Sequence, residues 1–194
     1  MPRVWTRFQS VIDDSVAGLT GPKAALMAWA RRVGAEEMAL RRVGRRPEGR
    51  LALEHKVADR LVLGKVRAAL GLGEARVVAS GAAPTPIATI EFFASFGLEL
   101  VEAYGQTEGT GGTTVGRTGA SRPGTVGQAL PGVSVRVADD GEVLVRGPNV
   151  FAGYFKDPEA TAATVRDGWL HSGDLGSLDT DGSVSYTHLR AHET

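Results

Sequence analysis

The stretch VVASGAAPTPIATIEFFASFGLELVEAY, residues 77–104, decides the fold class. A β-run over 75–80 ends in the small-residue loop Gly81-Ala82-Ala83-Pro84. A helix is expected from about 85 to 96, stopped at Gly97, and then a second strand over 98–103. This β-loop-α-β order with apolar strands implies an α/β fold, a parallel sheet covered by helices. In such sheets the loops beyond the strand ends carry the ligands. Without bulky side chains, the 81–84 backbone can approach a flat ring closely.

Upstream, the periodicity predicts helices over 4–18 and 22–44, broken at Gly18-Leu19-Thr20-Gly21-Pro22, where Pro22 suits a first helical position. A linker covers 44–49. A further amphipathic helix over 51–70 places Leu53, Val57, Leu61 and Lys65 with Leu70 on one face, and Gly71 stops it. From Gly124 onward, Val133-Ser134-Val135-Arg136-Val137 and Glu142-Val143-Leu144-Val145, joined by Asp139-Asp140-Gly141, read as a hairpin. The expected organisation is an α/β part over 1–123 and the start of a small β-barrel-like part over 124–183.

Composition narrows the function classes. The 194 residues have room for about one domain, and 42% hydrophobic content is enough for a core. A formal net charge of zero gives no reason to expect nucleic acid as partner. Without cysteine there is no disulfide, thiolate nucleophile or Cys-metal site, which suits a reducing cytoplasm. No run reaches the ~18 apolar residues of a membrane helix, and no signal peptide opens the chain.

Two short segments carry chemistry. Tyr104-Gly105-Gln106-Thr107-Glu108 sets a hydroxyl beside a carboxylate directly after a strand. Trp169-Leu170-His171-Ser172-Gly173-Asp174 hangs a carboxylate on a tight Ser-Gly turn. A hydroxyl donor, a carboxylate for Mg²⁺ and a carboxylate for two sugar hydroxyls would together suit a nucleoside triphosphate. Alone, each is weak, because Thr-Glu is common and Gly-Asp is usually a turn.

Together the segments resemble motifs of the adenylate-forming (acyl-activating) superfamily, which joins a carboxylate to AMP and then to a thiol. The first is similar to its YGxTE stretch, and the second to its W/F-x-H/R-T-G-D stretch, with Ser172 in place of Thr. Val77 to Pro84 resembles the SGGAP-type segment that lies against adenine. Gly124-Thr125-Val126-Gly127, Pro131-Gly132 and Gly141 to Pro148 match further segments in order. Pro2-Arg3-Val4-Trp5 resembles the VPRVWE-like opening of the long-chain fatty acyl-CoA ligase branch, with Met1 where that opening has Val.

The resemblance implies that Gly81, Ala82 and Ala83 flank adenine, with Tyr104 packed on it. It places Gly105, Gln106 and Thr107 near the α-phosphate, and Asp174 on the ribose. Thr107 and Glu108 would be the catalytic pair, with Glu108 holding Mg²⁺. ATP, Mg²⁺ and CoA are the implied cofactors, and small molecules (ATP, fatty acid, CoA) the partners, with at most peripheral membrane contact. The implied activity is AMP-forming long-chain fatty acid–CoA ligation. The alternatives are another adenylating enzyme acting on amino or aryl acids, or a non-catalytic nucleotide-binding remnant. The family's Ser/Thr/Gly-rich phosphate loop and its C-terminal catalytic lysine have no counterpart in these 194 residues, so the chain by itself is expected to be inactive.

Other features have plainer readings. Arg31, Arg32, Arg41, Arg42, Arg45 and Arg46 suit a solvated helix face better than a lipid or nucleic-acid patch. His55 reads as surface, His171 as structural, and Gly109–Gly112 as a flexible continuation of the preceding turn. Val184 to Thr194 matches one frame of a transposase sequencing adapter residue for residue. It is set aside as foreign, expected to pack against nothing, and the His188/His192 pair goes with it.

Overall fold

The computed structural model describes residues 2–189. His192 lies outside them. The chain forms two compact units, one of residues up to Val101 with Thr118–Pro123, the other of Glu102–Arg117 with everything from Gly124. The 1–123 division expected from the sequence is therefore corrected: 102–117, which carries the Tyr104–Glu108 segment, groups with the β-rich unit.

The first unit is mixed α/β. Helices α1 (Pro2–Ala17) and α2 (Gly21–Arg42) come first. Pro22 lies in the first turn of α2, and Arg41 and Arg42 face the negative end of its dipole. After α3 (Gly49–Ala58), a π-turn (Asp59–Leu63) and α4 (Gly64–Ala69) comes strand β1 (Val78–Gly81). Helix α5 (Ile87–Ala94) then leads to β2 (Leu100–Tyr104), which neighbours β1. A helix joining two neighbouring strands is the connection a parallel pair requires. The core is aromatic: Phe93 and Phe96 are fully buried, with Trp5 edge-on to Phe93 at 5.2 Å. Helix α2 approaches α5 closely, because a Cβ at Gly34 would sit 2.3 Å from the Ser95 carbonyl oxygen.

The apolar face assigned to the 51–70 helix is the wrong one. Leu53, Val57 and Leu61 are 66%, 42% and 45% exposed, whereas Ala58 and Leu63 are 0% exposed. The residues turned to the core are Ala58, Val62 and Leu63, backed by Leu51, Val66 and Leu70. The π-turn explains this. It widens the helix by one residue over Asp59–Leu63, so the four-residue spacing of Leu53, Val57 and Leu61 does not follow the buried face.

The expected solvated arginine face is likewise largely committed to partners. Arg32, Arg41 and Arg42 pair with Glu36, Glu37 and Glu91, each at 2.7 Å. Arg31 hydrogen-bonds the Ser95 hydroxyl and lies over Phe92 and Phe96. His55 is not on the open surface but half-buried, 4.0 Å from the buried Glu37. The Thr118–Pro123 loop joins this unit because the Gly119 and Ser121 amides donate to the Glu99 carboxylate, at 2.6 and 3.2 Å.

In the second unit β2 pairs antiparallel with β3 (Thr114–Val115), which pairs with β4 (Gln128–Ala129). A second, antiparallel sheet runs β5 (Ser134–Val137), β6 (Glu142–Arg146), β8 (Trp169–Leu178), β7 (Val165–Arg166), and β9 (Val184–Leu189) also pairs β8. The expected hairpin is β5–β6, in register from Ser134↔Arg146 to Val137↔Val143. Helix α6 (Pro158–Thr164) precedes β7 and is capped by the Asp157 carboxylate, which accepts from the Ala160 amide at 2.9 Å.

The expectation that residues from Val184 onward pack against nothing does not hold for the described ones. Val184 is completely buried in the core of this unit. Its carbonyl accepts from the Val126 amide and its own amide donates to Gly127, both at 2.8 Å. Strand pairing uses backbone groups that every sequence carries, and VSYTHL alternates well enough to join β8.

Two substitution pairs test this packing by urea unfolding. Leu63→Ala is expected to cost about 2–5 kcal/mol, while Leu53→Ala stays within about 0.5 kcal/mol. Val184→Ala is expected to cost about 1–3 kcal/mol, a loss that a loosely attached tail would not show.

Candidate functional site

In the first unit, β1 delivers the small-residue loop. The Ser80 hydroxyl accepts from the buried Thr85 at 2.7 Å, closing the loop at its base. Gly81 is half-buried, and Ala82 and Ala83 are exposed. Ala82 has φ +67, a left-handed conformation in which an alanine is strained. A pocket beside this loop is lined by Pro2, Val4, Ala82, Ala83, Pro84 and Pro86 among others, an apolar surface suited to a flat or aliphatic group.

In the second unit β2 ends in Tyr104, and the chain turns sharply. A Cβ at Gly105 would lie 2.6 Å from the Gly111 carbonyl oxygen, so the turn admits only glycine there. Gln106 is half-buried, and its carbonyl accepts from the Gly109 and Gly111 amides, at 3.0 and 2.9 Å. A 3-10 turn over Thr107–Gly109 leaves Thr107 exposed and Glu108 half-buried. Tyr104 itself is only 6% exposed, and its ring lies 5.1 Å from that of Tyr186. The packing on adenine expected of it meets a buried ring. What Tyr104 offers is its hydroxyl, which donates to Asp174 Oδ2 at 2.7 Å. Burial, with the Asp174 carboxylate beside it, pushes the Tyr104 phenol far above its ordinary pKa.

Asp174 owes its position to a bulge. On β6 the register passes from Glu142↔Leu175 to Leu144↔His171, so β8 has surplus residues at Ser172-Gly173-Asp174. Gly173 takes φ +75 there. Glu142 holds the bulge with both carboxylate oxygens: Oε1 accepts from the Gly173 amide at 2.8 Å, and Oε2 meets His171 Nδ1 at 2.7 Å. His171 is thus structural, as expected. The Ser172 hydroxyl donates to the Val143 carbonyl at 2.6 Å and accepts from the Asp174 amide at 3.1 Å, so serine suffices where the resembling motif has threonine. Asp174 is 4% exposed, and its Oδ1 is buried without a hydrogen-bond partner. A buried carboxylate oxygen left unpaired is costly, so it calls for a donor from a ligand.

Sequence reasoning missed three side chains. Glu142 was read only as a hairpin residue, and Asn149 and Tyr154 were not singled out. Asn149 Nδ2 donates to the Gly109 and Gly112 carbonyls, each at 3.2 Å, so the 109–112 stretch is tied down and is not the loose continuation expected. Tyr154 donates to Glu108 Oε1 at 2.8 Å. The only available signal was that these residues follow the Gly141–Pro148 segment. Among the described residues no three His, Asp or Glu side chains cluster as a metal site. A Mg²⁺ ion, which binds through one or two carboxylates plus substrate phosphates, would fit Glu108 at the oxygen not taken by Tyr154.

Residues 21–155 match the model of the AMP-binding enzyme family. The chain belongs to this family. Among its relatives is a protein of Mycobacterium tuberculosis named as a fatty-acid–CoA ligase, fadD11, 42% identical over 94% of this chain and 32% of its own length. The long-chain-fatty-acid–CoA ligase ACSBG2 of Rattus norvegicus is 34% identical over 93% of the chain and 27% of its own. Among solved structures, the N-terminal domain of FACL13 from Mycobacterium tuberculosis has a TM-score of 0.55 at 28% identity, over 66% of this chain and 36% of that one. Apo MatB from Rhodopseudomonas palustris has a TM-score of 0.57 at 35% identity, over 67% and 29%. The chain spans about a third of the length of the curated relatives it matches. As an AMP-binding enzyme segment it has the mixed α/β fold of acyl-CoA synthetase N-terminal domains. No helix among the described residues is long and apolar enough to cross a membrane.

The buried Tyr104 phenol gives this unit a pH signature. Its folded pKa is raised above the 10.0 of a free tyrosine, so its contribution to stability is complete below pH 10.0 and is lost as pH rises beyond it. Denaturant unfolding from pH 8 to pH 11 is expected to show stability falling above about 10, and Tyr104→Phe is expected to flatten part of that fall. Equal slopes in both proteins would reject the assignment.

Proposed function

We propose that this chain is a segment of an AMP-forming long-chain fatty acid–CoA ligase, contributing nucleotide-binding residues from each unit. The observation that carries the reading is the buried Asp174, one oxygen held by Tyr104 and the other without a partner, on the bulge of a strand matching the family's ribose-binding motif. A ribose hydroxyl is a donor of the right kind for Oδ1. Thr107 exposes its hydroxyl in the 3-10 turn, ready for an α-phosphate oxygen, and Glu108 would hold Mg²⁺. Gly81, Ala82 and Ala83 offer adenine a small-residue surface, and Gly105 and Gln106 shape the turn before Thr107. The long-chain relatives, and the match of the opening Pro2-Arg3-Val4-Trp5 to that branch, support the substrate class.

In the whole enzyme the fatty acid carboxylate attacks the α-phosphorus of ATP and pyrophosphate leaves. The CoA thiolate then displaces AMP from the acyl-adenylate. Bound Mg²⁺ supplies charge neutralisation for the triphosphate. Asp174 orients the ribose, Thr107 donates to the α-phosphate, and the turn at Gly105 keeps these groups in place. Positioning dominates such chemistry. The enzyme works on small molecules in the cytoplasm, with contact at the membrane surface where its acyl substrate resides. Val184–Thr194 is read as adapter-derived sequence that completes β9 by backbone pairing. Amplifying the source locus without transposase library preparation tests this, and finding the same codons in an uninterrupted frame would refute it.

With neither a phosphate-loop motif nor the C-terminal lysine among its residues, the 194-residue chain is expected to form no acyl-CoA from ATP, Mg²⁺, CoA and palmitate. Thioester release above a boiled control would overturn that. In a full-length protein carrying this segment, Asp174→Ala is expected to weaken ATP binding by about 1.5–3 kcal/mol, the worth of a hydrogen bond to a charged group. Glu108→Gln is expected to lower the rate mainly through the metal. Pyrophosphate exchange with unchanged ATP dependence in the Asp174 variant would reject the ribose assignment.

A further inference from the structure

We infer that Tyr154 is the positioning residue for Glu108: its phenol occupies Oε1 and so presents Oε2 to the metal of the bound nucleotide. The inference rests on the reading of Glu108 as the Mg²⁺ carboxylate. The connection between β6 and α6 grips the 107–112 loop at several points. The Phe151 amide donates to the Glu108 carbonyl at 2.8 Å. Asn149 Nδ2 reaches the Gly109 and Gly112 carbonyls at 3.2 Å, and the Thr110 hydroxyl donates to the Asn149 carbonyl at 2.5 Å. These contacts fix the backbone of Glu108 and leave its side chain free to turn. Tyr154 removes that freedom, donating to Oε1 at 2.8 Å.

The phenol is itself held. The Tyr154 amide donates to the Thr161 hydroxyl on α6 at 2.9 Å, and Thr161 in turn donates to the Asp157 carbonyl at 2.7 Å. The Tyr154 ring stands edge-on to Phe151 at 4.8 Å. Gly153 has φ +142, and a Cβ there would come within 2.7 Å of the Thr161 side chain, so the chain can run against α6 only with glycine at that position. A tyrosine 39% exposed would ordinarily keep its hydroxyl in water, so holding it on a carboxylate needs both ends anchored. The hydrogen bond to Glu108, followed by partial burial, raises the Tyr154 pKa, which keeps the donor proton in place across the working pH range. A neutral donor suits this role. A lysine or arginine there would orient the carboxylate but compete with Mg²⁺ by charge, whereas a phenol holds one oxygen without cancelling the negative charge the cation needs.

The test uses the 194-residue chain with ATP as the probe, its binding followed by calorimetry as Mg²⁺ is raised. Wild type, Tyr154→Phe and Glu108→Gln are compared, each first shown to melt like wild type. In Tyr154→Phe the half-saturating Mg²⁺ concentration is expected to rise about five- to tenfold, a loss on the scale of one hydrogen bond to a charged group, with ATP affinity at saturating Mg²⁺ unchanged. The tyrosine absorbance titration is expected to show one phenol ionising earlier in Glu108→Gln. If Glu108→Gln raises the Mg²⁺ requirement and Tyr154→Phe does not, the positioning role is refuted and the metal assignment stands. If Glu108→Gln leaves the requirement unchanged, or wild type shows no Mg²⁺-dependent ATP binding, the metal assignment fails and the inference falls with it.

Discussion

The second unit turns on one buried hydrogen bond, from the Tyr104 phenol to the Asp174 carboxylate. A carboxylate at 4% exposure is expensive to keep charged without partners. Tyr104 satisfies one of its oxygens from the end of β2, and the bulge of β8 brings it there. The bulge stands only because Glu142 and Ser172 take up the backbone and side-chain groups it frees. Each of these residues answers the requirement created by the previous one. What is left over is a single acceptor, Asp174 Oδ1, and that remainder is the unit's most specific mark of function.

The same economy shapes the loop after β2. Gly105 lets the chain double back on Gly111, and the residues before α6 then secure the turn from outside. Asn149, Phe151 and Tyr154 belong to one short connection, so the placement of Glu108 depends on how α6 is capped by Asp157 and packed at Gly153. A small helix remote in sequence from the Thr107-Glu108 pair thus sets the geometry of its carboxylate.

In the first unit charge does structural work. The arginines that the sequence presents as a row are distributed among Glu36, Glu37, Glu91 and the rings of Phe92 and Phe96. Counting charge along the chain could not reveal this, because Glu91, Phe92 and Phe96 lie about fifty residues or more beyond the arginines. The misassigned face of the 51–70 helix has a similar origin. Apolar spacing was legible, but a π-turn shifts the register, and nothing in the residue types of Asp59–Leu63 announces one.

Local signals settled what local chemistry settles. The β-loop-α-β order around residue 80, the break at Gly21-Pro22, the β5–β6 hairpin and the ordered nucleotide motifs were all legible, because periodicity, turn residues and motif order act over a few positions. Only the tertiary structure decided that Tyr104 is buried as a donor to Asp174, that Glu142 supports the bulge, and that Tyr154 reaches Glu108. It also decided that Val184–Leu189 enters the sheet. Those outcomes depend on which strands become neighbours and where a register slips. Contacts between residues forty or seventy positions apart leave no periodic trace in the chain that makes them.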